Sequence, residues 1–347
     1  MKFLSKKISR IRQLVADAYL RSLPVNSLTT VIYYTLLDDG FLRELRSVLA
    51  GKKEHMISAQ QNSPVRYTLR RNIHRLEKAL VMRPRRPIFA LDYIEETVDA
   101  YVKVLPQDRE VPERAREVQW FTDVLATYFS SVEPHRLTDR LKSVFEKTKP
   151  LTQATTDSLV PYPRLQVESS DISYEMFYRL CRQRRSTRWF LDEPVPRETL
   201  DKAVLAALQS PSACNRQPFQ FRIIDGPSVR EIATIPMGTS GYSGNIPVMV
   251  AVVGTLDAYF DERDRHVIYV DGALASMSFM LALETLGLAS CPINWPDIEE
   301  REQAMAKALG LKAWERPIML MAVGKPDPTG GIPFSEKSPL SCMRQYQ

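Results

Sequence analysis

The chain has 347 residues, of which 44% are hydrophobic and 25% charged, with a net charge of +6, an ordinary balance for a globular protein with a sizeable core. The charge is uneven: residues 1–165 hold 28 basic and 19 acidic side chains, and residues 166–347 hold 19 and 22, so an anionic partner would be met by the first half. No run of about 18 apolar residues occurs, the basic start at residues 1–12 lacks the apolar centre of a secretory signal, and Cys181, Cys214, Cys291 and Cys342 form no C-x-x-C pair; these features predict a cytoplasmic protein with free thiols, no transmembrane segment and no structural zinc.

The first half reads as helix throughout. A basic helix over residues 2–20 would pack on the rest of the module or lie on a membrane surface. Ser27 can cap a helix through Val31, Tyr34 and Leu37, which Gly40 separates from another at residues 41–49. Leu69, Ile73, Leu76 and Leu80 recur by fours and threes and mark an amphipathic helix over residues 66–82, ended by the Arg83-Pro84-Arg85-Arg86-Pro87 run. Leu91, Ile94, Val98, Tyr101 and Leu105 mark the next helix. Pro112 suits the first turn of another, with Val118, Phe121, Leu125 and Tyr128 facing inward. Residues 149–164 lose periodicity and collect Pro150, Pro161 and Pro163, which places a linker at 151–165 between a helical module (1–150) and a second domain (166–347).

Within the module, Arg66, Arg70, Arg71, His74, Arg75 and Lys78 line one side of the amphipathic helix, followed by Arg83, Arg85 and Arg86. Such like charge is repulsive unless offset. It would hold a phosphate-bearing ligand, a lipid headgroup or the acidic surface of the second domain, or else form a solvated face paired with acids such as Glu95 and Glu96. Nucleic-acid binding finds no accompanying motif.

The second half alternates helices (172–183, 198–209, 266–286) with strand candidates (219–224, 246–254, 289–294, 317–324), an α+β pattern. The helix at 266–286 is apolar on nearly all sides from Ala273 to Leu283. An all-round apolar helix must be buried all round, and in so small a domain a second subunit would supply the outer wall. The four histidines (His55, His74, His135, His266) have no ligand spacing, so no metal is expected.

Two stretches carry chemistry. Arg184-Arg185-Ser186-Thr187-Arg188 brings three guanidinium groups and a hydroxyl to a helix end, enough to surround one phosphate by charge-assisted bonds. The second stretch is Ser210-Pro211-Ser212-Ala213-Cys214-Asn215-Arg216-Gln217-Pro218. With the long apolar helix ending Leu286-Gly287-Leu288, the closing Val323-Gly324 strand and Lys337, these occur in the order seen in the FMN-dependent nitroreductase family, which residues 172–337 resemble.

The resemblance implies a homodimer of α+β subunits, each a central sheet flanked by helices, here preceded by the helical module. Two FMN molecules would sit at the subunit interface. Arg184, Arg185, Ser186 and Arg188 would hold the phosphate and ribityl chain, with Lys337 closing from the C-terminal side. Pro211, Ser212, Ala213, Asn215 and Gln217 match the loop that reaches the flavin from the other subunit. Pro292, Ile293 and Asn294 match the loop whose backbone N–H faces flavin N5. The implied activity is that of an oxidoreductase passing electrons from NAD(P)H to a small-molecule acceptor by a ping-pong route. No side chain is needed as acid or base, so no catalytic residue is named. The His74-Arg75-Leu76-Glu77-Lys78 stretch resembles long members met beside bacterial surface-polysaccharide genes.

One departure stands out. The family commonly has Glu-Gly where this chain has Asn294-Trp295, so Trp295 would stack on a substrate, fill the cleft or point into the dimer core. Cys214 is either a redox-active thiol in the flavin loop or a small packed side chain, and Tyr242 and Tyr259 are candidates for a substrate lid. The alternative class is a flavin-binding or flavin-free scaffold whose basic helices dock a phosphorylated partner or a membrane.

Overall fold

A computed structural model describes residues 24–58, 63–108, 111–150 and 158–347. The helix expected at residues 2–20 and residues 151–157 of the proposed linker lie outside these. In the N-terminal region, α1 (Ser27–Ile32) runs into one wide π-type turn (Tyr33–Leu37). Its cap is Asn26 and not Ser27: the Asn26 side chain accepts from the Thr29 N–H, and the Thr29 hydroxyl returns to the Asn26 N–H, both at 3.1 Å. This is a reciprocal pairing that a first helical residue such as Ser27 cannot make.

Four long helices follow, α2 (Leu42–Ser58), α3 (Ser63–Leu80), α4 (Ile94–Asp108) and α5 (Ala115–Ser131), and then α6 (Arg136–Thr148). Leu69, Ile73, Leu76, Ile94, Val98, Tyr101, Phe121, Leu125 and Phe145 form a contiguous core among α3 to α6. Leu91, expected in the helix of α4, precedes it and is exposed. Helix α6 was not predicted; His135 caps it, accepting from the Leu137 N–H at 3.2 Å.

The rest of the chain surrounds one four-stranded sheet, antiparallel at every pairing, in the order β1-β2-β4-β3. Its strands are β1 (Phe219–Asp225), β2 (Val248–Thr255), β3 (Ala289–Asn294) and β4 (Glu315–Gly324). The predicted strands are all present within about two residues. Strand β2 is buried on both faces, and its alternate residues feed two cores. Val248, Val250 and Val252 meet α8 (Arg197–Ala207) and α10 (Val267–Thr285); Met249, Ala251 and Val253 meet the side carrying Ile293, Trp295 and Met305. Helices α7 (Tyr174–Gln183), α9 (Ser228–Ile232), α11 (Glu299–Leu309) and α12 (Leu340–Met343) complete the set. The architecture is the expected α+β one.

Helix α10 is long and apolar enough to cross a membrane by composition alone. Here it lies on the sheet with Ile268, Ala275, Phe279 and Leu283 fully covered, while Val270, Leu274 and Met277 point outward and are exposed. Helix α7 beside it buries no residue and exposes Tyr174, Phe177 and Tyr178.

The helical region packs directly on the sheet region. Gly51 of α2 sits so close to the backbone of Leu256 that a Cβ there would lie 2.7 Å from the Leu256 carbonyl carbon. Around that contact Val48 and Tyr67 pack on Leu256, Ala258, Tyr259 and Ile268. Arg43–Glu299, Lys52–Glu262 (2.7 Å) and His55 Nδ1 to the Asp257 carbonyl (2.8 Å) join the two regions.

Candidate functional site

Helix α7 ends at Gln183, and Arg184 is its C-cap, with its backbone N–H returning to Leu180 at 3.0 Å. The chain then turns extended and attaches to the sheet edge. Ser186 bridges to Ser290, and the Thr187 N–H donates to the Ser290 carbonyl at 3.1 Å. Further on, the Phe190 N–H donates to Asn245 Oδ1 at 2.7 Å and Asn245 Nδ2 returns to the Phe190 carbonyl at 3.0 Å. The backbone of the arginine corner is therefore pinned to the sheet edge and to Asn245.

Those side chains meet the C-terminal segment. Arg184, Arg185, Ser186, Arg188, residues 333–336 and Lys337 line a cleft of about 790 Å³. Arg185 donates to the carbonyls of Pro333 (2.7 Å) and Phe334 and so draws that segment across the opening. Arg188 donates to the Ser186 carbonyl at 3.3 Å. Arg184 keeps its Nε buried with no hydrogen-bond partner. These cationic donors, grouped around one cleft, suit the phosphate of a flavin mononucleotide.

The second stretch lies elsewhere in the chain. Loop 211–218 joins α8 to β1, and its Pro218 carbonyl accepts from the Thr255 N–H at 3.0 Å, at the far end of β2 from the arginine corner. At about 3.3 Å per strand residue the length of β2 puts Pro218 about 20 Å from the corner. One chain thus brings Arg184, Arg185, Ser186, Arg188 and Lys337 together in one cleft, and holds Pro211, Ser212, Ala213, Asn215 and Gln217 outside it, in a loop that runs from Ser278 of α10 to the far end of β2.

The loop is tightly built. Cys214, Asn215 and Gln217 all have positive φ (53°, 51° and 53°), a backbone region costly for residues with a Cβ. Asp271 of α10 accepts from the Ala213 N–H at 2.9 Å, Ser212 Oγ accepts from the Gln217 N–H at 3.1 Å, and Ser210 and Ser278 hydroxyls meet at 2.8 Å. From the other side Arg70 of α3 donates to the Asn215 carbonyl (2.9 Å) and to Gln217 Oε1 (2.8 Å). Asp271 was missed in the sequence, where an acid amid the apolar stretch from Ile268 to Leu283 was the available signal; Arg70 was named only as part of the basic face, with no role at this loop.

Pro292, Ile293 and Asn294 lie in strand β3 and not in a loop, paired with Met321, Leu320 and Met319. The reason is that β4 continues beside them and supplies backbone partners. β3 is an edge strand, which admits a proline, and among the described residues no strand covers its outer edge beyond the Ser186–Ser290 bridge. Backbone groups near Asn294 therefore remain available to a ligand.

Three expectations about aromatic side chains are corrected. Trp295 neither stacks in nor fills a cleft: it is buried in this chain's own core, with its indole N–H on Glu302 at 2.6 Å. Tyr242 is buried beneath the arginine corner, its hydroxyl 3.8 Å from Cys291 Sγ, and burial raises its pKa well above the usual phenol range. Tyr259 is buried under the helical region with Arg216 over its ring at 4.9 Å. Two covered rings cannot open and close as a lid.

Four arginines of the basic face of α3 are paired internally. Arg66 meets Asp108 (2.5 Å) and Glu117 (2.8 Å), Arg70 meets Glu117, Arg71 meets Glu96 (2.8 Å), and Arg75 meets Asp92 (3.2 Å). His74 contacts Glu77 at 3.3 Å, and the same carboxylate accepts the Trp120 indole N–H at 2.9 Å. Glu96 was foreseen as a partner; Glu117, 47 residues from Arg70, was not.

A sequence model of the Nitroreductase family matches residues 181–239 and 238–325. The chain is 23% identical over 193 residues to iodotyrosine deiodinase 1 of Pongo abelii, covering 47% of this chain and 66% of that protein, so it spans just under two thirds of that relative. Among solved structures, a nitroreductase family protein of Streptococcus pneumoniae is 20% identical (TM-score 0.43), covering 49% of this chain and 100% of that one. An FMN-dependent nitroreductase of Clostridium difficile is 21% identical (TM-score 0.39), covering 45% and 91%.

Proposed function

Starting from a chain whose residues 181–325 match the nitroreductase family, we propose that it is an FMN-dependent oxidoreductase that works as a cytoplasmic homodimer. The observation that carries this reading is the buried, unpartnered Nε of Arg184 in a cleft shared with Arg188 and Lys337. Arg66, Arg70, Arg71 and Arg75 of α3 have carboxylate partners; the hydrogen bonds of Arg185 and Arg188 go to backbone carbonyls.

In this reading Arg184 and Arg188 bind the phosphate, Ser186 adds a hydroxyl, and Arg185 holds residues 333–337 so that Lys337 closes the cleft. Outer-edge backbone groups near Asn294 meet the ring system. Pro211, Ser212, Ala213, Asn215 and Gln217 come from the partner subunit, which accounts for their distance from the arginine corner within one chain. The exposed Val270, Leu274 and Met277 of α10 and the aromatic side chains of α7 form the dimer surface, the second wall that an all-round apolar helix requires. Bound FMN supplies two-electron chemistry, with NAD(P)H as donor and a small molecule as acceptor using one cleft in turn. The chain's residues bind and orient the cofactor. Against the scaffold alternative, Arg66, Arg70, Arg71 and Arg75 of its basic face are paired with carboxylates within the chain.

The test is anaerobic titration of the purified yellow protein with NADH or NADPH. Bleaching of the flavin band, followed by recovery on adding a quinone or nitroaromatic acceptor, is the expected result. A protein whose flavin no nicotinamide reduces would refute the donor assignment.

A further inference from the structure

We propose that Arg70 is a positioning residue for the flavin-binding loop, which makes helix α3 a working part of the cofactor site. The proposal rests on the flavin reading above. A single guanidinium reaches three acceptors: the Asn215 carbonyl at 2.9 Å, Gln217 Oε1 at 2.8 Å, and the Glu117 carboxylate. Its planar fork serves the loop with one part and the helical core with another, which the point charge of a lysine cannot reproduce.

Both ends of this link need it. The loop holds three non-glycine residues at positive φ, and such a backbone persists only where its surroundings over-determine it. Asp271 fixes Ala213, and Arg70 fixes Asn215 and Gln217, so the strained turn is gripped before and after Cys214. The grip is rigid because Arg70 is itself fixed. Glu117 is also bonded by Arg66 (2.8 Å) and Arg114 (3.0 Å), and the Trp120 ring lies 5.4 Å from the Arg70 guanidinium carbon. In the dimer, Asn215 and Gln217 would be presented to the partner's flavin, so Arg70 of one chain sets the geometry of the other chain's cofactor.

The experiment uses the full-length dimer with R70K, R70A, R66A and R184A. R70K keeps a charge against Glu117 and therefore protects the fold, whereas R66A weakens the same ion-pair network without touching the loop. FMN dissociation constants come from the fluorescence of released flavin, and amide hydrogen exchange is followed in the apo-protein. The expected result is that R70K and R70A weaken FMN about ten- to hundredfold, as loss of an outer partner behind a ligand-holding group does. Exchange should also rise over residues 212–218 and not over residues 118–129. R66A should stay within about twofold of wild type in both readouts. Unchanged affinity and loop exchange in R70K, alongside lost FMN in R184A, overturns the proposal while the flavin reading stands. Equal effects of R66A and R70K also overturn it, because the link would then be packing alone. A wild type that takes up no FMN overturns the flavin reading itself and removes Arg70's part in it.

Discussion

Trp295 donates its indole N–H to Glu302 at 2.6 Å, and both side chains are buried on the α11 side of edge strand β3. Arg316, also buried, shares Glu302 at 3.4 Å and reaches Asp297 at 2.8 Å. The tryptophan is thus one arm of a closed polar cluster and not part of the cleft. Trp295→Phe should destabilise the protein by about 1–3 kcal/mol, the cost of removing one partner from a buried acceptor. Urea denaturation measures it, and steady-state constants for acceptors should stay within about twofold. Unchanged stability with an altered acceptor KM would return Trp295 to the cleft.

The acid limb of stability should depend on Glu117. Burial alone would raise its carboxyl, but Arg70, Arg66 and Arg114 together outweigh burial and hold it below the ordinary value. A carboxyl with a folded pKa below its unfolded one stabilises fully above the unfolded value, about pH 4.5, and loses that contribution as pH falls through the folded value. Melting temperature should therefore drop below about pH 4.5 in wild type. Glu117→Gln should be less stable at neutral pH, by up to about 3–5 kcal/mol for a broken buried pair, with a flatter acid limb. A parallel acid limb in the variant would count against the assignment.

The outer stripe of α10 predicts an assembly phenotype. Leu274 is exposed in the single chain, so Leu274→Glu should leave the subunit folded. It should raise the dimer dissociation constant by at least about a hundredfold, as loss of a central interface contact with a charge in its place does. Sedimentation velocity would show a monomer, and FMN retention would fall with it. A variant that remains dimeric would move the interface elsewhere.

The sheet and its long helices were legible because burial imposes a period. Strand β2 is a continuous apolar run, and α3 repeats by threes and fours. Helix α11 escaped notice because Met305 is its only fully buried apolar side chain; its real signals are acids in the first turn and Gly310, a left-handed C-cap with φ 64°. The arginine corner was readable as a local cluster of like charge. Arg70 was not, since its meaning as a loop anchor depends on residues about 145 positions away, which no local period encodes. Tyr242 and Tyr259 misled for a related reason: aromatic residues near a loop look alike until packing shows which ones are covered.

The central claim is that the Arg184–Lys337 cleft holds FMN in a dimer. Gel filtration of the protein mixed with excess FMN, with absorbance read at flavin and protein wavelengths, tests it directly. The account predicts about one FMN per chain carried in the dimer peak, and a binding constant weakened at least about tenfold by Arg184→Ala or Arg188→Ala, as losing a charge-assisted bond of about 1.5–3 kcal/mol requires. A colourless dimer that passes through excess FMN unchanged, or a yellow one indifferent to both substitutions, would contradict it.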